Sequence, residues 1–211
     1  MTVGACDALI FDLDGTLWDT CETCADAWNP VLARLGIAHR QMTAADVRAV
    51  AGLPHLEAIR RAFPGLTESQ ILELAGATAE ADNEAVARHG GTLYPGVREH
   101  VLMLCQRVPL LIVSNSQQGY IETFLAWSRL AACFTDFECW GNTGRTKSEN
   151  VAELVRRNRL SRPLLVGDTD GDREAAEANG LRFVYASYGF GSVPRYDHRI
   201  EYFADLVSLV I

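Results

Sequence analysis

Asp12 and Asp14, two residues apart behind a short apolar run, are the first side chains here whose types and spacing suit chemistry. Three further groups follow at wide intervals: Ser114-Asn115, Lys147, and the acidic run Gly167-Asp168-Thr169-Asp170-Gly171-Asp172. Crowded carboxylates stay ionised together only if a cation sits among them. Oxygens from Asp12, Asp14 and Asp168 suit Mg²⁺, a hard ion that keeps some waters and takes one phosphate oxygen as a further ligand. In such a site Asp12 can attack phosphorus and form an acyl-phosphate, dividing one hard displacement into two easier ones. Asp14 can protonate the leaving alkoxide and later deprotonate the hydrolytic water. Lys147 and Ser114 would hold the phosphoryl oxygens and offset charge on Asp12. Eighteen of the nineteen basic residues are arginines, so chemistry that needs an amine has Lys147 as its single candidate.

Each motif taken singly has a plainer reading. DxDG resembles part of a calcium loop, although no glutamate closes it at the right distance and a strand precedes it. Ser-Asn would be a turn, a lone lysine a solvated side chain, and GDTDGD an acidic surface turn. What decides between these readings is where the surrounding elements put the four groups.

Short apolar runs that end in polar or glycine-rich turns read as buried parallel strands at Ala8–Leu13, Pro109–Ser114, Pro163–Val166 and Leu181–Ala186, with a weaker one at Thr135–Trp140. Helical patterns fall between them at Val97–Arg107, Gln117–Ser128, Ser148–Asn158 and Asp172–Asn179. The alternation predicts an α/β, Rossmann-like parallel sheet with helices on both faces. In such sheets ligands bind beyond the carboxyl ends of the strands, which is where Asp12, Ser114 and Asp168 all fall. Lys147 opens a helix that faces the same edge.

The stretch from Asp19 to His89 breaks the alternation and contains no convincing strand. It reads as helices over Cys21–Leu35, Thr43–Ala51, His55–Ala62 and Thr67–Arg88, with Thr43 and Thr67 as caps and Gly36 and Gly90 as stops. An all-helical insert is therefore expected at 18–92, dividing a core made of 1–17 and 93–211.

A net charge of -8 argues against a broad electrostatic grip on nucleic acid or an anionic membrane, but not against a small anion held by local positive groups. No apolar run approaches the roughly 20 residues of a spanning helix, and no basic stretch precedes an apolar one at the N-terminus. A cytoplasmic location is expected. Cys21 and Cys24 form a CxxC, but no second ligand pair matches it, so both are expected as reduced thiols on a helix of the insert.

With these motifs in order, DLDGTLWD at Asp12–Asp19, Ser114-Asn115, Lys147 in GRTKSEN and GDTDGD at Gly167–Asp172, the chain resembles the haloacid dehalogenase superfamily of hydrolases. Within it the resemblance is to phosphoglycolate phosphatase-like members with a helical cap, and LYPGV at Leu93–Val97 matches the usual return from that cap. The resemblance implies a Mg²⁺-dependent phosphatase acting on a small phosphorylated metabolite. Asp12 is then the nucleophile and Asp14 the acid/base, with the Asp14 main-chain carbonyl on the metal. Thr16, Ser114, Asn115 and Lys147 face the phosphate, Asp168 is a metal ligand, and Asp172 supports the metal or Lys147. The helical insert would be the cap that closes over the site.

Asp14 argues against dehalogenation, since the dehalogenases of this superfamily lack the second aspartate. A Schiff-base hydrolase of the same superfamily needs a cap lysine, and this insert has none. A sugar-phosphate mutase or phosphotransferase using the same core residues, and an inactive regulatory protein of the same fold, are the alternatives to the phosphatase. In the cap, His55 in Ala51-Gly52-Leu53-Pro54-His55 is a candidate for touching substrate. Arg48, Arg60 and Arg61 are candidates for a second anionic group, and Tyr188-Gly189-Phe190-Gly191 for the border of the site.

Overall fold

The computed structural model describes residues 6–37 and 41–210. The ends of the core segments 1–17 and 93–211, and the start of the N-terminal stretch read for a leader, fall outside the described residues. Strand β1 (Leu9–Phe11) leads to a short β2 (Trp18–Asp19), four helices, α1 (Cys21–Arg34), α2 (Ala44–Arg48), α3 (His55–Ala62) and α4 (Glu68–His89), and a short β3 (Thr92–Leu93). Helices and strands then alternate: α5 (Val97–Leu104), β4 (Leu110–Ser114), α6 (Tyr120–Ser128), β5 (Phe134–Cys139), α7 (Trp140–Thr143), α8 (Lys147–Arg157), β6 (Leu164–Gly167), α9 (Asp170–Ala178) and β7 (Arg182–Ala186). The chain closes with β8 (His198–Ile200) and α10 (Asp205–Val210).

The main sheet runs β5-β4-β1-β6-β7-β8 with every neighbouring pair parallel. Its central strand β1 is Leu-Ile-Phe and wholly buried, because helices cover both faces and leave no position for a polar side chain. Alternate residues sort to opposite layers. Leu9 and Phe11 join an apolar cluster with Val97, Val101, Ile121 and Phe124 of α5 and α6, whereas Ile10 packs with Val151, Leu154 and Ala176 of α8 and α9.

The expected strands and helices are present with ends that differ by one to a few residues. The weaker strand expected at Thr135–Trp140 is β5, one residue earlier at each end, and it forms an edge of the sheet. Strand β8, with the sequence His-Arg-Ile, was not expected, since an edge strand this polar carries no apolar run.

The helical insert leaves and rejoins the core through the ribbon β2–β3, an antiparallel pair in which Trp18 faces Leu93 and Asp19 faces Thr92. Trp18 is fully buried, with its ring 4.9 Å from Phe124 and 5.7 Å from Tyr120, both edge-on. Edge-on aromatic pairs stabilise by about 1 kcal/mol each beyond their buried area, so this ribbon is pinned to α6. Within the insert, α1 packs along α4 through Trp28, Val31, Leu32, Leu74 and Ala75, in the cluster that also covers one sheet face. Among the described residues, no helix is long and apolar enough to cross a membrane.

Candidate active site

Asp12 follows β1 directly. Its N–H donates to the Val166 carbonyl of β6 at 2.8 Å, and the residue is 3% exposed. Lys147, the first residue of α8, meets it from the side. The Lys147 Nζ donates to Asp12 Oδ1 at 2.6 Å and to Asp172 Oδ1 at 2.7 Å. The second oxygen of Asp172 accepts from the Thr169 N–H at 2.9 Å and the Thr169 hydroxyl at 2.7 Å, which is the capping box that starts α9. One carboxylate thus fixes a helix start and holds the lysine.

Asp168 lies on the adjoining turn after β6 and is fully buried. Its oxygens accept from the Thr16 hydroxyl (3.1 Å), the Phe190 N–H (2.7 Å) and the Gly191 N–H (3.3 Å). Gly15 has φ +88°, and a Cβ there would run into the Asp168 carboxylate, so the turn after Asp14 admits no side chain. One oxygen each from Asp12, Asp168 and Asp172 lie within 4.8 Å of one another, all three residues buried.

Burial lowers the affinity of Lys147 for its proton, but the Asp12 and Asp172 carboxylates more than reverse this and hold it as an ammonium. Burial pushes Asp12 well up, and Asp172 and Asp168 add to this against the opposing pull of Lys147. Asp168 is pushed up to about 7 by burial and then by Asp172. Three buried acids face one ammonium, and once all three ionise, which a cation among them favours, the group carries an excess of negative charge.

Asp14 turns away from this group. Its Oδ1 accepts from the Tyr120 hydroxyl at 2.9 Å and the Thr20 hydroxyl at 3.2 Å, and burial pushes its carboxyl up to about 6 despite these bonds. Ser114 ends β4 and its Oγ accepts from the Ser116 N–H at 3.1 Å. Asn115 reaches across to the insert, where its Nδ2 donates to the Gly52 carbonyl at 2.7 Å. Thr16 is fully buried, and its hydroxyl goes to Asp168.

Asp12, Asp14, Ser114 and Asn115 line a cavity of about 660 Å³, solvent at its mouth included, whose opposite wall comes from α1, α3, α4 and the loop at Gly52. His55 and Phe190 line it too. His55 is wedged against α4, with its Nε2 bonded to the Ala75 carbonyl (3.1 Å) and Thr78 Oγ1 (2.9 Å). Arg48 is bound to Asp19, with its guanidinium over the Phe190 ring, while Arg60 is bound to Glu57 and Glu68. Arg61 is exposed on the surface. None of these arginines lines the cavity. Cys21 and Cys24 do, as free thiols whose ionisation burial suppresses.

Tyr120, Thr20, Trp28 and Asp82 also line the cavity and were not expected there. For Asp82 a signal exists. It falls in the buried stripe Ile71, Leu74, Ala75, Thr78, Val86 of α4, where an acid at helical spacing can only be a buried one. Tyr120 and Thr20 carry no such mark.

The family model described as haloacid dehalogenase-like hydrolase matches residues 9–186, and the chain belongs to that family. A phosphoglycolate phosphatase of Pseudomonas savastanoi pv. phaseolicola is 32% identical, over 86% of this chain and 70% of its own length. A 5'-nucleotidase of Pseudomonas aeruginosa is 28% identical, over 95% of this chain and 92% of its own. Among solved structures, a haloacid dehalogenase-like family hydrolase from Streptococcus pneumoniae superposes with a TM-score of 0.84 at 18% identity, covering 96% of this chain and 97% of that one.

Proposed function

We propose that this chain is a Mg²⁺-dependent phosphatase that hydrolyses a small phosphomonoester through an aspartyl-phosphate on Asp12. The observation that carries this is the buried group in which Lys147 bridges Asp12 and Asp172, with Asp168 alongside. Its donors are all carboxylate oxygens with an excess of negative charge, which fits a hard divalent cation better than zinc. Asp12 and Asp168 would hold the ion, with the main-chain carbonyl of Asp14 as the resemblance implies. When bound, magnesium supplies positive charge against the carboxylates and the incoming phosphoryl oxygens.

Asp12 attacks phosphorus, and the ester bond to the alcohol breaks as the new bond forms. Lys147 favours the ionised form of Asp12, which the bound cation would complete, and with Ser114 and Asn115 it offsets the charge that builds on the phosphoryl oxygens. Thr16 acts at one remove, by orienting Asp168. Asp14 gives its proton to the departing alkoxide. It then takes a proton from the water that attacks the acyl-phosphate, so phosphate leaves and both aspartates return to their starting state. A carboxyl held at about 6 can serve in both directions near neutral pH. Residues 18–92 are the cap and β2–β3 its hinge, and the reading places the enzyme in the cytoplasm.

Turnover of 4-nitrophenyl phosphate should vanish on exhaustive chelation and return with added Mg²⁺. Activity that survives chelation contradicts the metal assignment. Release of inorganic phosphate from sugar phosphates, without the isomeric sugar phosphate, separates a phosphatase from a mutase.

A further inference from the structure

The wall that faces Asp12 across the cavity has an unusual charge inventory. Among the described residues that line the cavity there is no arginine or lysine, and the ionisable groups of the cap wall are His55, Asp82, Cys21 and Cys24. Asp82 is 3% exposed, and its Oδ1 accepts from the Trp28 Nε1–H at 2.9 Å. Its Oδ2 lies 3.9 Å from His55 Nδ1. That gap is too long for a direct hydrogen bond and suits a small polar group placed against both.

The protons follow from the neighbours. Thr78 gives its hydrogen to the Leu74 carbonyl at 2.8 Å, so towards His55 its oxygen accepts, and His55 Nε2 carries the ring hydrogen. Nδ1 is then a bare acceptor. Burial holds the His55 imidazole neutral, down at about 4, and pushes the Asp82 carboxyl up to about 8. The cap wall therefore offers one uncharged donor and one uncharged acceptor, and Val47, Val50, Leu53 and Ala58 line the same cavity.

We infer that this cavity selects phosphate monoesters whose alcohol portion is uncharged and bears a hydroxyl group, a polyol or sugar in class, and discriminates against esters that carry a carboxylate. The inference rests on the phosphatase reading and narrows its substrate. A carboxylate pushed against this wall loses its water and meets no cation among the lining residues, only neutral groups and apolar side chains, and one uncharged donor does not repay that loss. A hydroxyl between Asp82 and His55 donates to Nδ1 and accepts from the carboxyl, so nothing is left unpaired. Arg48, a cation near the cavity rim at Phe190, is bound to Asp19. No arginine or lysine that could pair with a substrate carboxylate stands among the described lining residues.

The test uses matched pairs that differ only in CH₂OH against carboxylate: 2-hydroxyethyl phosphate with phosphoglycolate, and glycerol 3-phosphate with 3-phosphoglycerate. With the full chain and Mg²⁺, kcat/KM should favour the hydroxyl member of each pair by at least about tenfold. Leu53→Arg, which adds a cation to the wall, should narrow that preference, and Arg48→Ala should leave it as it is. Equal or better hydrolysis of the carboxylate members, or their selective loss in Arg48→Ala, overturns the inference and leaves the phosphatase reading standing. Phosphate release from none of the four esters, nor from 4-nitrophenyl phosphate, overturns the phosphatase reading and this inference with it.

Discussion

Asp12→Asn should lower kcat by about 10⁴-fold or more while the fold and its melting temperature hold. The amide matches the carboxylate in shape, and its oxygen still accepts from the Lys147 Nζ that now sits 2.6 Å from Oδ1. Removing one of three crowded acids also relieves the repulsion from Asp168 and Asp172 that raises the Asp12 carboxyl. Stability therefore loses little. Reactivity loses the nucleophile, because an amide oxygen attacks phosphorus poorly and cannot regenerate by hydrolysis. Steady-state turnover with 4-nitrophenyl phosphate, read beside a thermal melt, checks both halves. Substantial residual turnover in a folded variant would remove Asp12 from the chemistry.

Replacing Lys147 should damage both activity and stability. Its ammonium is buried between Asp12 and Asp172, and Lys147→Ala leaves two carboxylates facing each other without a counter-charge. Breaking a buried pair from one side costs about 3–5 kcal/mol, so the melting temperature should fall markedly. Loss of a positioned electrostatic donor should cost about 10²–10³ in kcat. Added Mg²⁺ should recover part of the melting temperature, because the ion can offset the exposed acids, and little of the turnover. Lys147→Arg should restore neither fully. A planar fork cannot occupy the compact position from which one nitrogen reaches both carboxylates. Thermal melts with and without Mg²⁺, combined with single-ester kinetics, read these outcomes, and undiminished turnover in Lys147→Ala would show a lysine outside the site.

The core of the candidate site was legible because it sits on strand ends. Each of Asp12, Ser114 and Asp168 follows an apolar run short enough to be a buried strand, and the parallel topology brings such ends to one edge. Lys147 was legible from the composition of the chain, as the one amine available. The opposite wall was not. Tyr120 opens α6 after a Gln-Gln-Gly turn that reads as ordinary loop, and only tertiary packing brings its hydroxyl to Asp14. Thr20 precedes α1 without capping it and spends its hydroxyl on Asp14 and Tyr120 instead. His55 was read as a residue facing the substrate. The fold gives its Nε2 to α4 and leaves only Nδ1 towards the cavity, a distinction that needs the position of Thr78. The short ribbon β2–β3 and the polar edge strand β8 likewise lack any apolar run of their own, and they exist because a neighbouring strand supplies the pairing.

The most direct measurement of the account is the site of covalent phosphate. The chain is mixed with 4-nitrophenyl phosphate and Mg²⁺, quenched in acid during turnover, and reduced with borohydride, which converts an aspartyl-phosphate to homoserine. Peptide mass mapping should find homoserine at position 12 and nowhere else, and none in Asp12→Asn. Phosphate carried on Ser114 or on a cysteine, or turnover with no covalent phosphate at all, would contradict the assignment of Asp12 as nucleophile.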